Sequence, residues 1–286
     1  MSKEIRSFFR YPGGKSRLAK QIFNIIEDKV DLNVIDRYVE PFIGGGSMFL
    51  YMVQRLKNLQ SCVINDKDNG IYSIWESLLS NPDELIKKIR EYKPTVDSFI
   101  DFGLRLNEID ILDRYPIVEI AFEKIALHQM SYSGLGLKSG SPIGGFEQKG
   151  KYKIDCRYNP DTMTQKIKDI INLLIKIPQI AVSNADCLEI LDDGKDIDNE
   201  NTLIYLDPPY YQIGNTLYQE GMTENEHVEL SKKLKSFNNA NWFISYDDCQ
   251  FIRNLYSDCT IEIINANYTI NNKGKKDEIL ICPKKS

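Results

Sequence analysis

The 286-residue chain has only two histidines, His128 and His227, and they lie far apart. Its six cysteines are scattered: Cys62, Cys156, Cys187, Cys249, Cys259 and Cys282. No two stand at C-x-x-C spacing, so a zinc site, a thiol redox motif and a disulfide framework are all disfavoured. The histidines read as structural or surface residues. No stretch approaches the ~20 apolar residues that a membrane helix needs. The start, Met1 to Arg6, leads into no apolar core of signal-peptide length. The expectation is therefore a cytosolic protein with no membrane contact. An overall basic excess is missing too: the net charge is −5, whereas nucleic-acid partners usually leave a basic footprint. What remains is ordinary globular composition, 42% hydrophobic and 27% charged.

The charge is uneven. Residues 1 to 20 carry Lys3, Arg6, Arg10, Lys15, Arg17 and Lys20 against a single acid, Glu4. Residues 132 to 158 carry Lys138, Lys149, Lys151, Lys153 and Arg157 against Glu147 and Asp155. Acid gathers elsewhere, as in Asp192 to Glu200. Two basic patches on an acidic chain are compatible with DNA binding, and equally with ordinary solvated faces.

Periodicity gives the organisation. Lys15 to Glu27 has apolar residues at helical spacing. Val34 to Val39 reads as a short buried strand, Gly44-Gly45-Gly46-Ser47 opens a helix over Met48 to Leu59, and Cys62 to Ile64 is a second strand ending on Asn65-Asp66. That is a right-handed βαβ unit. From Ile71 to Met130 the spacing is helical, broken at Pro82, Pro94 and Pro116. Ser131 to Gly150 is rich in glycine and serine and predicts loops or a hairpin. Asp161 to Ile175 is helical. Five strand-like runs follow: Gln179 to Ser183, Thr202 to Leu206, Trp242 to Tyr246, Thr260 to Asn265 and Glu278 to Cys282. Helical segments near Glu224 to Leu234 and Gln250 to Leu255 separate some of them. The expected architecture is α/β: a doubly wound, mostly parallel sheet of seven strands. One domain is expected to comprise 1–80 and 179–286, with a mainly helical insertion over 81–178.

Two familiar ligand templates fail. The dinucleotide fingerprint fits Gly44 and Gly46, but its third glycine position is Phe49, which disfavours NAD and FAD. Gly13-Gly14-Lys15-Ser16 looks like the end of a phosphate loop, but Phe9 stands where that loop needs glycine. Lys15 reads better as the partner of a carboxylate, such as that of a bound amino acid. Asp66 stands about 20 residues past the glycine turn, where an acid accepts ribose hydroxyls. A helix cap is the alternative.

The decisive segment is Leu203-Ile204-Tyr205-Leu206-Asp207-Pro208-Pro209-Tyr210. An apolar strand runs into an acid, two prolines and an aromatic, at the strand end where doubly wound folds bind ligands. The amine on adenine is a poor nucleophile because its lone pair is delocalised into the ring. Acceptors on its N–H groups draw the lone pair out. Asp207 and the Pro208 carbonyl can supply two, and Pro208 and Pro209 fix the backbone that aims them. Tyr210 offers a flat face for a flipped base. Methylation at cytosine C5 would need a cysteine nucleophile, usually after proline, and only Cys282-Pro283 pairs these types, in the reverse order.

At this point the chain resembles the Dam-type adenine-N6 DNA methyltransferases, over nearly its whole length. Arg10-Tyr11-Pro12-Gly13-Gly14-Lys15 is similar to the family's amino-terminal element, which implies that Tyr11 and Lys15 contact the cofactor. Val39 to Ser47 is similar to its E-P-F-x-G-x-G-S loop, which implies the same of Phe42, Gly44 and Gly46. Asn65-Asp66 resembles its ribose-binding acid and Asn184-Ala185-Asp186 its adenine-contacting acid, though Cys187 follows where many relatives carry an aromatic. Asp207-Pro208-Pro209-Tyr210 resembles its catalytic motif, and the motif order is the family's alpha arrangement. The resemblance implies S-adenosylmethionine as cofactor, S-adenosylhomocysteine as product and a flipped adenine in double-stranded DNA as target. It further implies that the insertion recognises sequence. Lys138, Lys149, Lys151, Lys153 and Arg157 would then meet phosphates, and side chains near Tyr132 to Leu137 would reach bases. A cognate restriction endonuclease as partner and a monomeric or weakly dimeric state are in keeping with this. N4-methylation of cytosine, or of an RNA base or protein amide, is the alternative; cytosine-N4 enzymes usually carry serine in place of Asp207, and glutamine-modifying enzymes asparagine.

Overall fold

The computed structural model describes residues 4–9, 11, 13–134, 136–192, 197–211, 221–264 and 278–284. Arg10 and Pro12 of the amino-terminal element, Leu135, residues 193–196 and Asn265 lie outside the described residues.

The chain divides into two compact units. One comprises Lys15–Ile43, Tyr51–Asn65 and Ile177–Ser286. It holds a seven-stranded sheet of β1 Arg37–Glu40, β2 Ser61–Asn65, β3 Gln179–Ser183, β4 Thr202–Leu206, β5 Asn241–Asp247, β6 Thr260–Ile264 and β7 Glu278–Cys282. The order across the sheet is β3-β2-β1-β4-β5-β7-β6. β3, β2, β1, β4 and β5 run parallel, and β7 lies antiparallel between β5 and β6. The chain order reverses between β1 and β4, which is the switch point of a doubly wound sheet. β4 is buried at every residue, as a central parallel strand covered on both faces must be. Helices α1 Ala19–Lys29, α9 Cys187–Asp192, α10 Glu224–Lys235 and α11 Gln250–Leu255 belong to this unit. Leu230 and Leu234 of α10 and Ile252 of α11 join Trp242, Ile244, Tyr246, Ile279 and Ile281 in one apolar cluster.

The first strand starts later than its apolar run suggests. Val34 closes a turn onto the Asp31 carbonyl and is 47% exposed, so pairing begins only at Arg37, opposite Ser61 and Thr202.

The other unit comprises Met1–Gly14, Gly44–Leu50 and Asp66–Lys176. Its helices are α3 Asn69–Ser80, α4 Pro82–Glu91, α5 Val96–Arg105, α6 Ile111–Arg114, α7 Ile117–Met130 and α8 Pro160–Leu174. α7 is buried at every position from Ile120 to Met130, as befits a helix that is apolar nearly all round. Three of its buried polar residues find partners: Glu123 takes Arg105 through one oxygen, Lys124 takes Asp68 and Gln129 donates to the Phe8 carbonyl. α3 packs on α7 through Ile71, Ile74, Trp75 and Leu78. Residues 66–80 are therefore compact with 81–176 rather than with the strands, ahead of the 80/81 division expected from sequence. Pro82 starts a helix instead of breaking one. The Gly-rich segment forms short 3₁₀ turns at Tyr132–Gly134 and Gly136–Ser139, with one bridge between Ser131 and Pro142, and no hairpin among the described residues. Among the described residues, no helix is long and apolar enough to cross a membrane.

Candidate active site

In the sheet-bearing unit, the chain leaves β4 directly into Asp207. The Lys15 amine, only 3% exposed, lies 2.8 Å from Asp207 Oδ1. The Ser245 hydroxyl on β5 donates to the same oxygen at 3.0 Å. Tyr205 completes the chain with a 2.9 Å bond to Ser245 Oγ. Both partners of Asp207 thus take Oδ1; among the described residues Oδ2 and the Pro208 carbonyl accept nothing. Burial pushes the Asp207 carboxyl above the usual carboxylate range, the Lys15 charge and the Ser245 bond pull it down, and the Glu278 charge pushes it up. The carboxylate Lys15 meets here is that of a side chain.

Tyr210 follows the two prolines. Its hydroxyl donates to Glu278 Oε2 at 2.6 Å, and the Lys15 amine sits over its ring, 4.7 Å from the centroid. Burial and the charges of Asp207 and Glu278 raise its phenol well above the ordinary value, so the hydroxyl stays protonated. The next residue, Tyr211, stacks on Phe251 at 4.3 Å. The ends of β1, β2 and β3 are stitched by Asn65, whose amide donates to the Pro41 and Ala185 carbonyls and whose oxygen accepts the Ala185 N–H. Phe42 is half-buried against the apolar cluster. Asp186 accepts the Leu188 N–H at 3.0 Å and so caps α9.

The glycine turn belongs to the other unit. Gly44 and Gly46 have positive φ, 46° and 66°, which favours glycine. A Cβ on Gly44 would stand 2.7 Å from Tyr11 Cε1, and one on Gly46 would run into the Trp75 ring. Trp75 also donates its indole N–H to the Gly44 carbonyl at 3.0 Å. Tyr11 stacks on His128, with ring planes 13° apart. Asp66 accepts the Gly44 N–H at 2.8 Å and the Asp68 N–H at 3.0 Å. Burial and the neighbouring Asp68 charge raise its carboxyl to about 7, against the pull of those two bonds and Lys124. Asp68 caps α3 and takes the buried Lys124 amine at 2.6 Å.

The basic residues of the insertion do not act as one patch of equivalent cations. Lys149 pairs with Glu147, and Lys153 donates to the Gln148 carbonyl. Lys151 lies against Tyr152. Arg157 donates to the Ser131 carbonyl and sits over the Tyr132 ring, which is exposed. Burial and the nearby Lys124 charge lower the Lys138 amine.

Residues 11–270 match the model of the D12 class N6 adenine-specific DNA methyltransferases. The chain belongs to this family. It is thus an adenine-specific DNA methyltransferase, and DNA is its substrate. The type II methyltransferase M1.LlaDCHI of Lactococcus lactis subsp. cremoris is 24% identical, over 97% of this chain and 95% of that one. The type II methyltransferase M.MjaIII of Methanocaldococcus jannaschii is 23% identical, over 96% and 95%. The DNA adenine methylase of Vibrio cholerae serotype O1 is 22% identical, over 97% and 96%. Within this methyltransferase, the sequence reading missed Ser245, Glu278, Trp75, His128 and Lys124. Ser245 and Glu278 stand in apolar strand runs whose pairing partners no local pattern reveals. The buried polar residues of α7 were the legible hint for the last two, since a polar group inside an apolar helix needs a partner.

Proposed function

We propose that this methyltransferase transfers a methyl group from S-adenosylmethionine to N6 of an adenine flipped out of double-stranded DNA, by direct displacement without a covalent enzyme intermediate. The observation that carries the reading is the division of labour on Asp207. One oxygen is held by Lys15 and Ser245, while the other and the carbonyl of the next residue, Pro208, accept nothing among the described residues, which leaves two acceptors for the two N–H groups of one amine. Accepting both protons draws the nitrogen lone pair out of conjugation. When bound, the cofactor supplies an electrophilic methyl group on a sulfonium sulfur. With that group bound, the nitrogen freed of conjugation would be the acceptor of the methyl, and Asp207 would take the proton the nitrogen gives up. A carboxyl raised above the ordinary range by burial is suited to receive it. Tyr210 supports the base by stacking, a contribution of ~1–3 kcal/mol.

The residues present fit the cofactor. Asp66 is a part-buried acid steadied by backbone N–H groups, suited to ribose hydroxyls, and the glycine turn packs against Tyr11. In this reading Tyr11, Gly44, Gly46 and Asp66 hold the cofactor, with Phe42 and Asp186 serving its adenine and Lys15 its carboxylate as well as Asp207. Lys138, Lys149, Lys151, Lys153 and Arg157 meet DNA phosphates. The division into 1–80 with 179–286, and 81–178, is kept as a functional one, with recognition assigned to the insertion. Two relatives named type II methyltransferases support a cognate restriction endonuclease as partner, for a monomeric or weakly dimeric enzyme.

The test is incubation of unmethylated DNA with labelled S-adenosylmethionine, followed by digestion to nucleosides. N6-methyladenine is expected. N4-methylcytosine in its place would overturn the reading.

A further inference from the structure

Glu278 belongs to no motif, yet it meets the Asp207 group from 68 residues away. β7 runs antiparallel to β5, so its first residue lies at the edge where the parallel strands end, paired with Asp247 on one side and Ile264 on the other. From there its carboxylate accepts the Tyr210 hydroxyl at 2.6 Å and stands 3.8 Å from the Lys15 amine. Lys15 in turn bonds Asp207 and sits over the Tyr210 ring. The acid therefore touches both groups that flank Asp207.

We propose that Glu278 is a positioning residue for methyl transfer: it fixes the plane of the Tyr210 ring through the phenol hydroxyl and tethers the Lys15 amine that holds Asp207. The proposal rests on the reading that Tyr210 stacks on the target base. A phenyl ring attached to a backbone already restrained by two prolines keeps freedom mainly about its side-chain bonds. A charge-assisted bond at the far end of the ring removes that freedom. Holding an acceptor surface in one orientation before the base arrives raises the rate of the chemical step more than it raises affinity.

The test uses the full chain, with unmethylated plasmid DNA and labelled S-adenosylmethionine as substrates. Glu278→Ala lowers kcat by about tenfold or more, the worth of one bond to a charged group, with little change in KM for either substrate. Tyr210→Phe, which keeps the ring and loses the same bond, behaves alike. The double variant is no slower than the slower single. Glu278→Gln keeps an acceptor for the hydroxyl and recovers most of the loss. It also shifts the acid limb of kcat to lower pH, because a charge opposing ionisation of Asp207 is gone while Lys15, Ser245, Tyr205 and Tyr210 still face that carboxyl.

Additive losses in the double variant would overturn the proposal. So would a glutamine variant as slow as the alanine one with an unmoved acid limb, since that pattern marks a residue needed only for folding. Tyr210→Ala separates the two levels. If it is crippled while Glu278→Ala is not, only the role of Glu278 falls. If Tyr210→Ala is fully active, the stacking reading falls and the proposal with it.

Discussion

Asp66 and Asp207 each stand one residue past the end of a parallel strand, and burial raises the carboxyl of each, yet their neighbours differ. Asp207 shares Lys15 with Glu278, at 2.8 and 3.8 Å from the amine, and has a hydroxyl beside it. Asp66 accepts two backbone N–H groups, while Lys124 is committed to Asp68, whose charge crowds Asp66 further. The Lys15 charge offsets part of the burial that raises the Asp207 carboxyl. With the Asp68 charge adding to burial, the Asp66 carboxyl is raised to about 7. The same side chain at the same kind of strand end faces a cation in one place and a second carboxylate in the other, and its acidity follows those neighbours.

Substitutions at these two places test that contrast. Removing the acceptor should have the largest effect: Asp207→Ala is expected to lower kcat by ~10²–10³-fold, as for loss of one preorganised electrostatic partner, with S-adenosylmethionine binding within a few-fold by calorimetry. Activity near wild type would end the proposed mechanism. Next comes the cation. Lys15→Met leaves the Asp207 charge buried and alone, which costs about 3–5 kcal/mol if it stays ionised. Its pKa rises instead, so activity falls at neutral pH and recovers partly as pH is raised. An unmoved acid limb in the pH–rate profile would break the comparison from the Asp207 side.

On the other side, Gly46→Ala places a methyl into Trp75 at positive φ, and about 1–3 kcal/mol of stability should be lost, read from a melting curve. A smaller and more diagnostic effect is expected at Asp66. Its raised pKa means that ionisation opposes folding: its contribution to stability is full below the ordinary carboxylate value and declines as pH rises toward about 7. Asp66→Asn should therefore raise the melting temperature above that pH. Cofactor binding runs the other way. In the wild type it weakens as pH falls through about 7, and in Asp66→Asn it is weaker by roughly tenfold at neutral pH with that dependence gone. The smallest change is expected at the insertion, where Lys153→Ala should lower the salt slope of DNA binding by about one; an unchanged slope removes Lys153 from the phosphate contacts.

The sheet was legible because its strands carry the information locally. Thr202 to Leu206 is apolar throughout and buried throughout, and its end on Asp207 is written in the next two prolines. β1 was legible only in part, because Val34 is apolar but spends itself on a turn. The glycine turn was seen, but the reason for Gly46 was not: Trp75 fills the space, and that contact spans 29 positions without any periodic signal. The Lys15–Asp207 pair was half visible, since a carboxylate partner for Lys15 was expected, with a bound amino acid as the example, and the side chain of Asp207 takes that place. Glu278 was invisible because its placement depends on β7 running against its neighbours, and strand direction leaves no mark in an apolar run.

That reversed strand also sets an order of events on the ribosome. β4 and Tyr210 emerge first, and the acceptor for the Tyr210 hydroxyl is translated 68 residues later. Until then the sheet has an unpaired edge at β5 and a tyrosine with no anchor. Such late, distant pairings are slow to form and leave strand edges open to wrong partners. Newly made chains should therefore acquire their activity abruptly, with the last strand rather than with the motif.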